Sequence, residues 1–311
     1  MPEPRSVVVT GASRGLGLAS AAQLYARGWR VVGAMRAPDA GLERLRAATG
    51  AVAGDPRLLG VRLDLAEPAS VAAAARTIEE AVGAPDALVH NAGIAAFGSV
   101  EDTPLPVWQQ LFSTNLFGPV ALTRALLPPM RAAGRGRIVV VSSQGGARGM
   151  PGIAPYAASK GALERWAESL AQEVAPFGLG VTILVAGTFD TGIITEQTPD
   201  HGDYAGPYGA QYASIRRRGL IAVQSLAAPP ERFARALARS LEERAPFVRH
   251  AVGLDAHLVL HASRFLPGRL LHHLIRMAMG LPRHGALADE PRPSSTTDAE
   301  PEKSTCRSSM P

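Results

Sequence analysis

Cysteine is almost missing from this chain: Cys306 is the only one in 311 residues, so no intrachain disulfide can form. A protein of this length must then rest on its hydrophobic core, and a reducing, cytoplasmic setting is expected. No apolar run reaches the roughly 18 residues that a membrane span requires. The first residues also lack the basic-then-apolar pattern of a secretory signal. No internal repeat is present, which sets aside solenoids and propellers. With aromatics at only 5%, the basic clusters at Arg216 to Arg218 and from Arg264 to Arg276 lack the stacking residues of a nucleic-acid module. The net charge of +5 is therefore read as arginine-rich, solvated helix faces, and no nucleic-acid partner is expected. His257 and His261 are one helical turn apart but have no third ligand nearby in sequence, so no metal is expected either.

What the chain does contain is alternation. Short apolar runs lie at Val7–Thr10, Arg30–Ala34, Leu59–Leu63, Ala87–His90, Arg137–Ser142 and Val181–Val185. They are apolar throughout rather than at every second position, as parallel strands buried on both faces require. Helical stretches are predicted between them near 16–27, 41–49, 67–82, 105–132 and 156–175. Strand and helix in this succession predict an α/β fold of the Rossmann type: a doubly wound parallel sheet in three layers, α/β/α. Thr188 to Ala228 reads as a long loop with a short helix or two, following a strand end where ligands bind. Its Tyr204, Tyr208 and Tyr212 either line a pocket or form a structural stripe. A helix over Pro230–Arg244 and a short apolar run at Phe247–Val248 complete the sheet. The expected divisions are a catalytic domain over 1–252 with a lid at 188–228, an amphipathic helical extension over 253–282, and a disordered tail over 283–311. The segment 254–281, broken at Pro267-Gly268, reads as two helices packed on the cleft or at an interface. The alternative is a helix lying on a membrane surface.

The first strand runs into Thr10-Gly11-Ala12-Ser13-Arg14-Gly15-Leu16-Gly17. Glycines there permit a tight turn, let backbone amides approach a pyrophosphate, and allow helix and strand to pack closely. Tyr156 and Lys160 are four apart and share one face of a helix. A neighbouring ammonium favours phenolate and lowers a tyrosine pKa, which suits Tyr156 to general acid or base work on a carbonyl or alcohol. Ser143 ends the fifth strand, where it can donate to a substrate oxygen gaining negative charge.

These features, with Asn91-Ala92-Gly93 after the fourth strand, Asn115 in the next helix, and Tyr156-Ala157-Ala158-Ser159-Lys160, occur in the order found in classical short-chain dehydrogenases/reductases. Over about residues 5–190 the chain resembles that family. The resemblance implies that Lys160 also holds the nicotinamide ribose, that Asn115 anchors a relay water, and that Asp64-Leu65 meet the adenine edge. The second strand ends in Met35-Arg36 where members selecting NAD carry a carboxylate. Arg14 and Arg36 can clamp a 2′-phosphate, so the predicted cofactor is NADP(H). Two departures stand out. Ala186-Gly187 replaces the usual Pro-Gly, which is expected to loosen that turn, and His90 replaces a common asparagine. The stretch after the second strand, the Thr188–Thr191 turn and the leucine-rich extension are most similar to the steroid- and retinol-type branch. The implied activity is interconversion of a hydrophobic alcohol and its ketone or aldehyde by a homodimer. The competing readings are a non-catalytic NADP(H) sensor and an epimerase or dehydratase built on the same tyrosine.

Overall fold

The structure, a computed structural model, describes residues 4–191 and 198–287. The expected tail lies outside the described residues from 288 onward, as does Cys306. Among the described residues, seven strands form one sheet: β1 (Ser6–Thr10), β2 (Arg30–Met35), β3 (Leu58–Arg62), β4 (Ala87–His90), β5 (Gly136–Ser143), β6 (Leu179–Ala186) and β7 (Phe247–Val252). The order is β3-β2-β1-β4-β5-β6-β7, and every pairing is parallel. The α/β expectation holds, and its strands match those read from the sequence to within a residue or two except at the last.

Alternating side chains divide the core between two helical layers. Val8, Val32, Leu88, Val140 and Ile183 face α3 (Pro68–Val82), α5 (Gly118–Ala133) and α7 (Ala154–Val174). Val7, Val9, Val31, Val89 and Leu184 face α1 (Gly15–Ala26), α2 (Pro38–Thr49) and α9 (Pro230–Ser240). Each such side chain, fully buried, stabilises the fold by about 1.5–3 kcal/mol before entropy is counted.

Three elements differ from expectation. The helix predicted over 105–132 is α4 (Leu105–Phe112) and α5 joined by a π turn, Ser113–Phe117, and Asn115 sits in that turn. The segment predicted as mostly loop contains one 18-residue helix, α8 (Gly209–Leu226), whose Ala, Arg, Leu and Gln residues favour helix despite the scattered glycines upstream. The last strand runs on to Val252 through Arg249 and His250, because the Arg249 guanidinium bonds the buried carboxylate of Glu164 beneath the sheet. A charged residue inside a strand hid the strand from its apolar pattern.

Two further helices, α10 (Leu254–Phe265) and α11 (Gly268–Ala278), follow β7 and belong to the same compact unit, Met1–Leu281. Between β5 and α7 lies a single turn, α6 (Gln144–Ala147).

Candidate active site

Strand order reverses between β1 and β4, and in open parallel sheets ligands bind beyond the strand ends at such a point. The turns after β1, β4, β5 and β6 converge there around a cavity of about 560 Å³. Its inner wall holds Gly11, Ser13, Arg14, Gly15, Leu16 and Gly17 from the first turn, with Arg36, Asp64 and Leu65 beside them. Asn91, Ala92 and Gly93 line the middle, and Ser143, Tyr156 and Lys160 line the far side. The structure thus brings together every residue expected at the site except Thr10 and Asn115, which stand behind the wall.

The glycine turn is built for close approach. Gly11 has φ +68°, and a Cβ on Gly17 would fall 2.2 Å from the Gly11 carbonyl oxygen. The helix that follows, α1, has Arg14 at its N-cap with no capping bond from the side chain. Its first-turn amides are therefore left for an anion at the positive end of the helix dipole. Thr10 is fully buried, and its hydroxyl donates to the Val89 carbonyl while accepting from the amides of Asn91 and Ala92. It ties the β1 and β4 turns together and contributes no wall. Arg44, which no sequence signal singles out, donates from Nε to the Ser13 carbonyl at 2.9 Å and braces the loop from α2.

At the end of β2, Met35 is buried against Gly41, where a Cβ would strike its sulfur. Arg36 is exposed at the cavity edge. Asp39 lies in the first turn of α2, exposed and off the cavity wall. No carboxylate from the end of β2 or this first turn of α2 joins the wall beside Arg36.

At the catalytic end, Tyr156 and Lys160 stand one turn apart on α7. Burial raises the Tyr156 pKa above the ordinary phenol value, and a hydrogen bond with Ser143 pulls it back down. The expected depression by Lys160 is not found: burial outweighs the Ser143 bond, and the ammonium donates to the Val141 carbonyl at 2.9 Å. Burial lowers Lys160 itself to about 8, with Glu164 pulling upward. Ser143 caps α6, accepting from the Gly145 amide at 3.2 Å, so its one proton serves Tyr156 or, in its place, a substrate oxygen.

Asn115 is fully buried. Its side chain accepts from the Ile94 amide (2.9 Å) and donates to the Ile94 carbonyl (2.9 Å) and Ser159 Oγ (3.0 Å). Both amide protons are spent on holding the Gly93–Ile94 turn against α7, so any water it anchors must be met by an oxygen.

The sequence missed the supports around this cluster. Glu164, one turn beyond Lys160, is 1% exposed, accepts from Ser142 Oγ at 2.6 Å, and pairs with Arg249. Asp255 of α10 accepts from the Thr188 amide and hydroxyl, both at 2.7 Å, and from Gln144 Nε2 at 3.2 Å. A Cβ on Gly187 would lie 1.9 Å from the same carboxylate. The turn at Ala186-Gly187 is therefore clamped rather than loosened by its missing proline. No local pattern links position 255 to 188; only the fold brings them together.

His90 is buried, with Nε2 2.7 Å from Thr123 Oγ1 and its ring edge-on to Trp166. Burial, reinforced by the nearby Lys160 charge, lowers its pKa to about 3, so it stays neutral. The three lid tyrosines do not line the cavity. Tyr212 is buried, accepts from the Ser99 amide at 2.9 Å and bonds Asp102, while Tyr208 donates to Glu101 at 2.9 Å and Tyr204 to Asp200 at 2.7 Å. Tyr208 and Tyr212 moor the lid to the loop after β4, while Tyr204 bonds within the lid itself. The apolar part of the cavity comes instead from Phe97, Met150, Ile153, Ile215, Leu220 and Val223. Among the described residues no group of three or more candidate metal ligands occurs, and no helix is long and apolar enough to cross a membrane.

Comparison with known proteins gives a consistent picture. The profile of the short chain dehydrogenases matches residues 5–202. Over 281 residues the chain is 31% identical to a 3-ketodihydrosphingosine reductase of Bacteroides thetaiotaomicron, covering 88% of this chain and 98% of that one. The crystal structure of a short-chain dehydrogenase from Streptomyces avermitilis is similar with a TM-score of 0.75 at 33% identity, covering 90% of this chain and 99% of the other. A metagenomic short-chain oxidoreductase in complex with NADP gives a TM-score of 0.61 at 27% identity, covering 79% and 96%.

Proposed function

The chain belongs to the short-chain dehydrogenase family, an oxidoreductase acting between CH–OH and C=O with a nicotinamide cofactor, and from that premise we propose that it reduces a hydrophobic, lipid-like ketone with NADPH. The observation that carries this reading is the cavity itself. One end has a glycine turn and two guanidiniums, the middle has the Ser143–Tyr156–Lys160 group, and an apolar patch of Phe97, Met150, Ile153, Ile215, Leu220 and Val223 shares the remaining wall with polar groups such as Gln110, Gln144, Asp200 and Arg216.

The cofactor residues fit the group they would hold. Uncapped amides at the start of α1 suit a pyrophosphate. Arg14 and Arg36 suit a 2′-phosphate, and the buried Met35 offers nothing to a free 2′-hydroxyl. The metagenomic relative in complex with NADP supports the same choice. When bound, the nicotinamide supplies the hydride.

Tyr156 is the general acid. Its raised pKa keeps it protonated at neutral pH, ready to give its proton to the carbonyl oxygen as that oxygen gains negative charge. Ser143 donates a hydrogen bond to the same oxygen. Lys160, one turn from Tyr156 on α7, is the residue that would hold the nicotinamide ribose. Asn115 and Thr10 act through the turns they hold. The apolar wall of Phe97, Met150, Ile153 and Val223 favours a long-chain or polycyclic ketone. The name of the Bacteroides relative, a 3-ketodihydrosphingosine reductase, supports a long-chain ketone first, with steroids and retinoids behind it. A homodimer is proposed, supported by the exposed Leu105 and Phe117 at the two ends of the α4 and π-turn segment.

The test is NADPH consumption against long-chain ketones, steroids and retinoids. Turnover that falls about 10²–10⁴-fold in Tyr156→Phe supports the reductase. Equal rates in both proteins, with NADPH still bound, point to the sensor reading.

A further inference from the structure

The two helices after β7 carry more apolar surface than they bury. Leu254, Leu258 and Phe265 are exposed along α10 at spacings of four and seven residues, which is one helical stripe. Leu270, Leu274 and Met277 form a second exposed stripe on α11, where Leu271 is the sole buried residue. The end of α11 is fastened to the lid helix: Ser214 Oγ donates to the carbonyls of Met279 and Gly280, both at 3.1 Å, and Arg218 Nη1 to that of Ala278 at 2.9 Å. On α8 itself, Ile221 is exposed beside Leu220, which is half-exposed and also lines the active-site cavity together with Met279. The α11 stripe thus ends against the lid helix, beside the cavity wall.

The charges on these helices name the partner. α8, α10 and α11 carry Arg216, Arg217, Arg218, Arg264, Arg269 and Arg276 against one carboxylate of their own, Asp255, and of the six Arg216 is paired with Asp200 at 2.8 Å. That carboxylate is occupied by Thr188 and Gln144. A two-fold contact between copies would set this cationic surface against itself, because a C2 interface repeats the same patch on both sides. An anionic bilayer offers the complement on both counts, acyl chain for the leucines and headgroup charge for the arginines.

We propose that α8, α10 and α11 dock this protein on an anionic membrane surface, with the cavity mouth facing the lipid. The docking stands on the surface alone. Entry of a lipid-like ketone from the bilayer rests, in addition, on the reductase reading above.

The test is flotation of the whole protein with vesicles of phosphatidylcholine alone and of equal parts phosphatidylcholine and phosphatidylglycerol. The expected result is co-flotation with the anionic vesicles, weakened by added salt. Binding should drop at least about tenfold in Leu258→Glu/Phe265→Glu and in Leu274→Glu/Met277→Glu. Because these positions are exposed, both variants should keep the elution volume and the NADPH binding of the parent. Failure of the parent to float overturns the proposal. So does a variant that floats normally but changes from dimer to monomer, which assigns the surface to a second copy. Flotation without turnover leaves docking intact and removes the reductase; turnover without flotation does the reverse.

Discussion

Lys160 is held in its charged form at a cost. Its ordinary pKa of 10.5 falls to about 8 on burial, so the folded state resists the charge at neutral pH while the unfolded chain does not. Stability from this group is therefore missing below about pH 8 and returns as pH rises from there towards 10.5. Lys160→Met should raise the melting temperature at pH 7 by a few degrees, an effect on the order of 1–3 kcal/mol, while abolishing turnover. A lowered melting temperature would mean that the Val141 bond matters more than the desolvation. His90 behaves in the same direction at lower pH. It is neutral in the fold and titrates near 3, against 6.5 when free, so stability is lost as pH falls from 6.5 towards 3. Acid unfolding of His90→Asn should be shallower across that window, read as melting temperature against pH. At the cofactor end, Arg36→Glu should lower kcat/KM with NADPH by about 10–100-fold and narrow the gap to NADH, because a charge-assisted bond to the 2′-phosphate is worth about 1.5–3 kcal/mol. An unchanged NADPH/NADH ratio would remove Arg36 from the clamp. These residues were legible in the sequence because a turn or a helix sets their spacing. Glu164 and Arg249 were not: each is an ordinary charged residue until β5, α7 and β7 are stacked together.

At the scale of elements, the strands of the parallel sheet were readable because burial on both faces leaves continuous apolar runs. β7 was readable only in part, since Arg249 and His250 interrupt its run. The lid was the least legible element. Its three tyrosines at four-residue spacing fit a pocket stripe and a structural stripe equally well until Tyr212 was seen buried against Ser99, Asp102 and Phe97. The π turn that carries Asn115 has no sequence signature at all, although such turns recur at functional sites. Asp255 gives the element scale its test. It ties the start of α10 to Thr188 of the lid and Gln144 beside Ser143. Asp255→Ala should lower kcat/KM by about 10–100-fold through misplaced walls, with NADPH affinity nearly unchanged. Retained activity would show that the lid is positioned by its tyrosines alone.

Across the whole molecule, one sheet organises everything: its helices supply the core, and its reversal of strand order supplies the cleft. Two kinds of surface then meet at that cleft. The side of β1, α1 and β2 lines it with a glycine turn and arginines, the proposed dinucleotide side, and α8 adds Ile215, Leu220 and Val223, the proposed substrate side. The proposed hydride transfer between the two can be followed with an isotope label. NADPH carrying deuterium at the transferred position of the nicotinamide is incubated with a long-chain ketone, and the alcohol is examined for the label. One deuterium on the carbinol carbon is expected with the parent protein and none above background with Tyr156→Phe. Tight NADPH binding with no labelled alcohol from any long-chain, steroid or retinoid carbonyl would contradict it.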